Sequence, residues 1–461
     1  MPGRPLRILF FLQPGNTSRH AALDMIAGLQ TAGHTVSVLE LGPVWSRLEA
    51  LGTRAAPERL ALTQQVGGFL RSAQIDLSIA FWGNALTTLT HASSEGRATS
   101  CFDLWDAPHL MYWFDAPHWA QGGTVRQMTP TGLFGGRSLF STVNNQGIAD
   151  EMTGVLGFAH AAALPYAINE RTFHPDPWLP AKDREFDIAI AAGPGDEPPT
   201  PLMLAELARE QPDCEAIRHE QAARVRADLA TLATRLPSQH HAACAALLER
   251  LLATQLADPH TPVLTRLRAA VAADSGLSDA SAALLADAGL WIDATHALRR
   301  VDSWRRAFHT AFMLRRFRCV LFGETGDALG PWGGTREATV LGYVPHEEQR
   351  RVYGRARLAL SAMRWQDDVG LHLKPLEAGA SGTMSICDWR SGLTQLLEAG
   401  TQVIATRSPG DMAREVACLL ADPARIDTIA HAALTRIRRE HTWKVRGEQM
   451  LDVVGGATGR W

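Results

Sequence analysis

The sequence predicts an α/β protein with two parallel-sheet domains facing a cleft and a block of helices inserted in the second. Three observations carry this. Apolar runs of strand length recur from residue 7 to about 166, separated by helix-length stretches, the pattern of parallel strands covered on both faces. The same texture returns from residue 318, while 197–316 is rich in Ala, Leu, Arg and Glu at helical spacing. At 461 residues the chain is too long for one core and suits two or three domains.

The elements follow in order. RILFFL (7–12) is a buried strand, and SRHAALDMIAGLQTAG (18–33) a helix with Ser18 as cap and Gly33 as stop. TVSVLEL, IDLSIAFW, HLMYWF, SLFSTV and AAALPY continue the strand series. Prolines crowd 163–180, which reads as a linker. FDIAIAAGPG then opens a second sheet. RCVLFGE, ATVLGYV, ARLALSAM, TMSICDW and TQVIAT complete it after the helical insertion, and terminal helices close the chain over about 423–455. Ligands in such sheets bind at the carboxyl ends of the strands.

Composition excludes several classes. Charged residues make up 20% and net charge is −3, so nothing global attracts nucleic acid. The six cysteines (101, 214, 244, 319, 387, 418) form no CxxC pair, which signals neither zinc nor a disulfide framework. A reduced cytoplasmic chain is expected. ILFFL is too short for a signal sequence, and no run reaches the ~18 apolar residues of a membrane span. Seven arginines lie in 298–318. They read either as a solvated helix face or as a peripheral contact with a polyanion or an anionic membrane surface.

The stretch GLHLKPLEAGASG (370–382) is unusually polar for a strand-to-helix turn in an apolar region. Pro375 suits a first helical turn and Gly382 a stop. Free amides at a helix start suit a phosphate. Gly370 allows close backbone approach, and His372 and Lys374 add donors. Glu377 has the two acceptor oxygens that a ribose diol needs. Together these describe a nucleotide diphosphate. The alternative is that Glu377 only complements the helix dipole, worth about 0.3–1 kcal/mol.

Two N-terminal stretches offer further chemistry. In QPGNTSRH (13–20), Gly15 and Asn16 permit a tight turn beside a ligand, and His20 sits in the first helical turn. A capped turn with a surface histidine is the plainer reading. In DLWDAPHLMYWFDAPHW (103–119), Asp115 falls at a strand's carboxyl end among Trp113, His118 and Trp119. Aromatic faces suit sugar rings and a carboxylate suits a hydroxyl proton. The alternative is a turn-forming aspartate with core aromatics. Neither QDD (366–368) nor DLWD contains a DXD metal motif, and GxGxxG, GxSxG and the P-loop are absent.

VLFGE (320–324), VLGYVPHEEQRRVYGRARLALSAM (340–363), residues 370–404 and DPARIDTIAHAALTRIRREHTWKVR (422–446) resemble the CgeB-like, spore-maturation-type glycosyltransferases of the GT-B superfamily. MYWFDAP (111–117) and LPYAINERTFHP (164–175) resemble them more faintly, and the insertion carries no resemblance. The resemblance implies a GT-B fold with an acceptor domain over 1–170 and a nucleotide-sugar domain over 171–461. It implies metal-independent transfer of a sugar from a nucleotide diphosphate sugar to a protein, glycan or small-molecule acceptor, with no cofactor beyond the donor. Glu377 would hold the ribose and Gly370, Leu371 and His372 the diphosphate, with Lys374 beside it. Tyr343 and Val344 would border the base, and Gly323 would be a further substrate-binding position. Gly15, Asn16, Trp113 and His118 would line the acceptor side, with Asp115 as base and His20 as second candidate. Many retaining GT-B enzymes carry a second glutamate eight residues before the ribose-binding one; here that position is Val369. A nucleotide-sugar epimerase on the same fold, or a non-catalytic scaffold binding partners through the insertion, are the rival readings.

Overall fold

The computed structural model describes residues 4–51, 55–92, 97–191, 198–323, 330–333, 338–362 and 364–460, with the side chains of 16, 17, 55, 56, 91, 92 and 367 outside that set. The first sheet comprises β1 (Arg7–Leu12), β2 (Thr35–Glu40), β3 (Leu77–Phe81), β6 (His109–Trp113), β7 (Leu139–Val143) and β8 (Ala161–Ala163). All are parallel, in the order β2-β1-β3-β6-β7-β8, and β4 (Thr90–Ala92) and β5 (Ala98–Ser100) form a separate antiparallel hairpin. Every position of β3, β6 and β7 is buried, because helices cover both faces of a central parallel strand.

The first helix is Asn16–Thr31, two residues earlier than expected. Ser18 is therefore inside it, not its cap, and its hydroxyl donates back to the Gly15 carbonyl at 3.3 Å. Gly33 follows the helix at φ +95°, a conformation glycine adopts without strain.

The second sheet holds β9 (Phe186–Ala191), β10 (Cys319–Phe322), β11 (Ala338–Gly342), β12 (Ala356–Ser361), β13 (Met384–Asp388) and β14 (Ile404–Thr406), again all parallel. Their order is β11-β10-β9-β12-β13-β14. The direction of winding reverses between β9 and β12, so a crevice opens at their carboxyl ends.

The insertion is helical, running from Pro201 towards Leu314. Its chain leaves and re-enters the second sheet, yet its apolar face is spent elsewhere. Leu229, Leu248, Leu264, Trp291 and Leu298 share one core with Val125, Leu133, Ile148 and Met152 of the first domain. At this seam a Cβ on Gly147 would lie 2.6 Å from Pro262. The helix Trp304–Leu314 then returns, packing Trp304, Phe308 and Phe312 against Ile188 and Leu321 of the second sheet. The chain also crosses back at its end. Helix Trp443–Thr458 packs on Asn16–Thr31, where a Cβ on Gly28 would stand 2.5 Å from that of Trp443.

Most of the arginine-rich run is engaged within the fold and does not form one solvated face. Arg299 and Arg305 are buried, Arg300 pairs with Asp228, Arg315 donates to the Trp332 carbonyl, and Arg316 lies over the Phe312 ring at 3.5 Å. Among the described residues no helix is long and apolar enough to cross a membrane.

Candidate functional site

The crevice at the carboxyl ends of β9 and β12 is a cavity. Ile190, Ala191, Leu360 and Ser361 form its floor. Arg306, Arg364, His372 and Lys374 project into its walls, and none of its described lining residues is a carboxylate. Each cation has a local reason to be there. Arg306 sits on helix Trp304–Leu314, which Arg305 and His309 pin to the end of β13 through Asp388, at 3.2 and 2.9 Å. Burial alone would raise the Asp388 pKa, but the His309 and Arg305 charges outweigh it and hold this carboxyl far below its usual range.

His372 accepts a hydrogen bond on Nδ1 from the Lys374 amide at 3.4 Å. Burial, and then the charges of Arg364, Lys374 and Arg306, hold its pKa well below the ordinary value. The ring is therefore neutral, and with Nδ1 accepting, Nε2 carries the proton as a donor.

Lys374 Nζ lies 2.7 Å from Oε2 of Glu377, which also accepts from the Tyr353 hydroxyl at 3.4 Å. Glu377 is 1% exposed. One oxygen of the carboxylate expected to meet a ribose diol is thus engaged within the protein, by Lys374 and Tyr353. Pro375 does open the short helix Lys374–Ala380, and Gly382 follows it at φ +81°. Of the expected diphosphate turn, His372 reaches the cavity. Leu371 is buried in an apolar cluster and Gly370 packs against Gly392, so neither lines it.

Across the cleft, Arg364 Nη2 donates to Asp115 Oδ1 at 2.7 Å. Both side chains are about one-fifth exposed. Asp115 thus faces the cavity from the opposite domain. Its neighbours do not join it. Trp113 is fully buried in β6, its Nε1 3.4 Å from Ser141 Oγ and its ring edge-on to Phe158. His118 is buried against Arg299, with Nε2 and Nη1 2.9 Å apart. Both expectations are corrected, because these side chains face the core side of their elements. Burial and then the Arg299 charge keep His118 neutral.

Arg299 also pairs with Glu151 and, at 3.5 Å, with Asp368. One insertion arginine thereby joins both domains. Asp368 is held at φ +51°, with Arg390 donating to its carbonyl.

His20 belongs to a different cross-domain contact. Its ring stacks on His346 at 5.3 Å, and His346 Nε2 meets Asp24 Oδ2 at 3.0 Å. Gly15 adopts φ +118°, and the Asn16 side chain lies outside the described residues. The Gly323 amide donates to the Gly342 carbonyl at 2.7 Å, tying the ends of β10 and β11. Tyr343 beyond it is 59% exposed, whereas Val344 is buried.

Sequence reasoning missed Arg306, Arg364 and the polar set at the ends of β1 and β3. There Gln121 Nε2 donates to Asn84 Oδ1 at 2.6 Å and the Gly83 amide to Gln121 Oε1 at 3.1 Å, while Asn84 reaches Gln13. The one available signal was position, since Arg364 follows a strand end.

Residues 299–452 match a family described as glycosyl transferase-like. A search of curated proteins finds no match. Among solved structures, the chain is similar to sucrose-phosphate synthase from Thermosynechococcus elongatus, with 10% identity over 99% of this chain and 100% of that one, TM-score 0.51. A glycosyltransferase from Rickettsia africae matches with 8% identity over 99% and 100%, TM-score 0.51. The Anabaena protein HepE, in complex with UDP and glucose, matches with 13% identity over 98% and 100%, TM-score 0.51. The fold is that of the GT-B glycosyltransferases.

Proposed function

We propose that the protein is a glycosyltransferase of the CgeB-like group, moving a sugar from a nucleotide diphosphate sugar to an acceptor. The supporting observation is the cavity at the β9–β12 switch point, walled by Arg306, Arg364, Lys374 and a neutral, donating His372. A departing diphosphate gains negative charge in the transition state. Preorganised cations and an N–H donor in a partly buried site stabilise that charge without reorganisation. Residues 171–461 supply this donor side and 1–170 the acceptor side. Asp115 acts as the base for the acceptor hydroxyl once Arg364 turns to the diphosphate. Glu377 keeps Lys374 aimed at the cavity. The leaving group is neutralised by side chains, so no metal is required. The family match over 299–452, which contains every charged group of this cavity, supports the same reading.

The test is a melting experiment with UDP, ADP, GDP and dTDP. Binding to the native state raises the melting temperature by mass action. One of these should raise it, and Arg306→Ala should remove the shift. If no nucleoside diphosphate stabilises the chain, the reading fails.

A further inference from the structure

Beside the Asp115–Arg364 pair, three aromatic rings from three parts of the chain converge. Trp119 lies four residues after Asp115, Trp365 directly follows Arg364, and His296 comes from the insertion helix Ala288–Arg300. The indoles of Trp119 and Trp365 stand 5.4 Å apart at 70°. His296 stacks on Trp365 at 4.9 Å and 11°, and meets Trp119 edge-on at 5.7 Å. Trp365 is thus covered on one face, whereas Trp119 remains 40% exposed. An indole left open at the edge of a cleft is a candidate recognition surface.

The surroundings narrow what it recognises. His296 also lines a groove on the insertion with Asp228, Thr231, Asp293 and Arg300. The charges here are engaged with one another. Arg300 pairs with Asp228, and Asp293 with Arg126 and Arg235. Burial and then the Arg300 charge lower the His296 pKa, so its ring adds no charge. The groove's charged groups are held in ion pairs, three arginines sharing two aspartates, and they offer hydrogen-bonding groups along its length. Such a polar lining suits a hydroxyl-rich ligand and disfavours an acyl chain.

We infer that Trp119, Trp365 and His296 form an acceptor subsite that takes a sugar ring, and that the acceptor is a carbohydrate chain lying along the insertion groove. The apolar C–H face of a pyranose packs on the open Trp119 indole, whose face is electron-rich. The next ring sets its hydroxyls on the groove. The insertion then has a role in the reaction: it carries one wall of the acceptor site next to Asp115. Calling the occupant an acceptor rests on the transferase reading; the sugar site itself does not.

The experiment uses the full chain with maltose, cellobiose, lactose and chitobiose as probes, each with and without UDP. Saturation-transfer NMR reads sugar contact, and the melting temperature reports folding and UDP binding. At least one disaccharide should give a signal in the parent. Trp119→Ala should abolish it, and Trp119→Tyr should restore it with the melting temperature held. An undiminished signal in Trp119→Ala overturns the inference. So does the absence of signal from every disaccharide while UDP still raises the melting temperature, which leaves the transferase reading intact. If sugar contact depends on Trp119 but no nucleotide stabilises the chain, the sugar site stands and the transferase reading falls.

Discussion

Asp115→Asn separates the two roles the cleft requires of this residue. The carboxylate faces Arg364 at 2.7 Å, with both side chains about one-fifth exposed. Arg364 also lines the cavity proposed to hold the donor, so on that reading Asp115 and a diphosphate compete for it. A charge-assisted hydrogen bond contributes about 1.5–3 kcal/mol and a neutral one about 0.5–1.5. Asparagine keeps an acceptor oxygen and loses the charge. The difference is about 1–1.5 kcal/mol, and partial solvent screening brings it to about 1 kcal/mol. Donor binding should therefore tighten about fivefold, since 1.4 kcal/mol is tenfold. Turnover should fall by about a hundredfold or more, because a base contributes about 10²–10⁴. Titration calorimetry with the stabilising nucleotide gives the first number and initial rates of diphosphate release give the second. Weaker nucleotide binding in the variant would refute the competition, and undiminished turnover would refute the base. The tightening should shrink at high salt, as screening weakens the pair being broken.

Three further outcomes follow from the same contacts. Glu377→Ala should lower donor affinity through a misdirected Lys374 and should also destabilise the fold by about 1–3 kcal/mol, since the buried Tyr353 hydroxyl loses its partner; denaturant melts with an unchanged midpoint would restore the picture of an open, merely ligand-facing carboxylate. Burial pushes the His109 ring down to about 3 from 6.5. Between those values the unfolded chain binds a proton that the folded chain does not, so stability is lost as pH falls below about 6.5, at about 1.4 kcal/mol per pH unit. His109→Gln should flatten that slope in urea melts between pH 6.5 and 4.5, and an equally steep variant would count against it. Transfer activity should persist in excess EDTA; loss of activity with rescue by manganese or magnesium would replace the side-chain mechanism with a metal site.

Much of the site's frame is legible from local chain chemistry. Strand periodicity, Pro375 at a helix start and Gly382 in a positive-φ stop depend on residues near one another in sequence. The same local logic places His372 and Lys374 at the start of the short helix Lys374–Ala380, and both reach the cavity. Asp115 stands just beyond the carboxyl end of β6 and faces across the cleft. Composition also separates the helical stretch from the two sheets.

Which side of an element is buried, and against what, is decided at long range. Trp113 and Trp119 stand in one aromatic stretch, yet the first fills the core and the second is open, because the groups that cover each come from distant parts of the chain. Arg299, Arg305 and Arg306 read alike in sequence. Packing of the insertion on the first domain buries Arg299 between Glu151 and Asp368, and the return of its last helix to the second sheet points Arg306 into the cavity. The cavity itself exists because Ile190 pairs with Leu360 across the whole insertion. The residue types that can bind a diphosphate or a sugar are therefore set by the sequence, while their assembly into one site waits on contacts between segments more than a hundred residues apart, which no local pattern encodes.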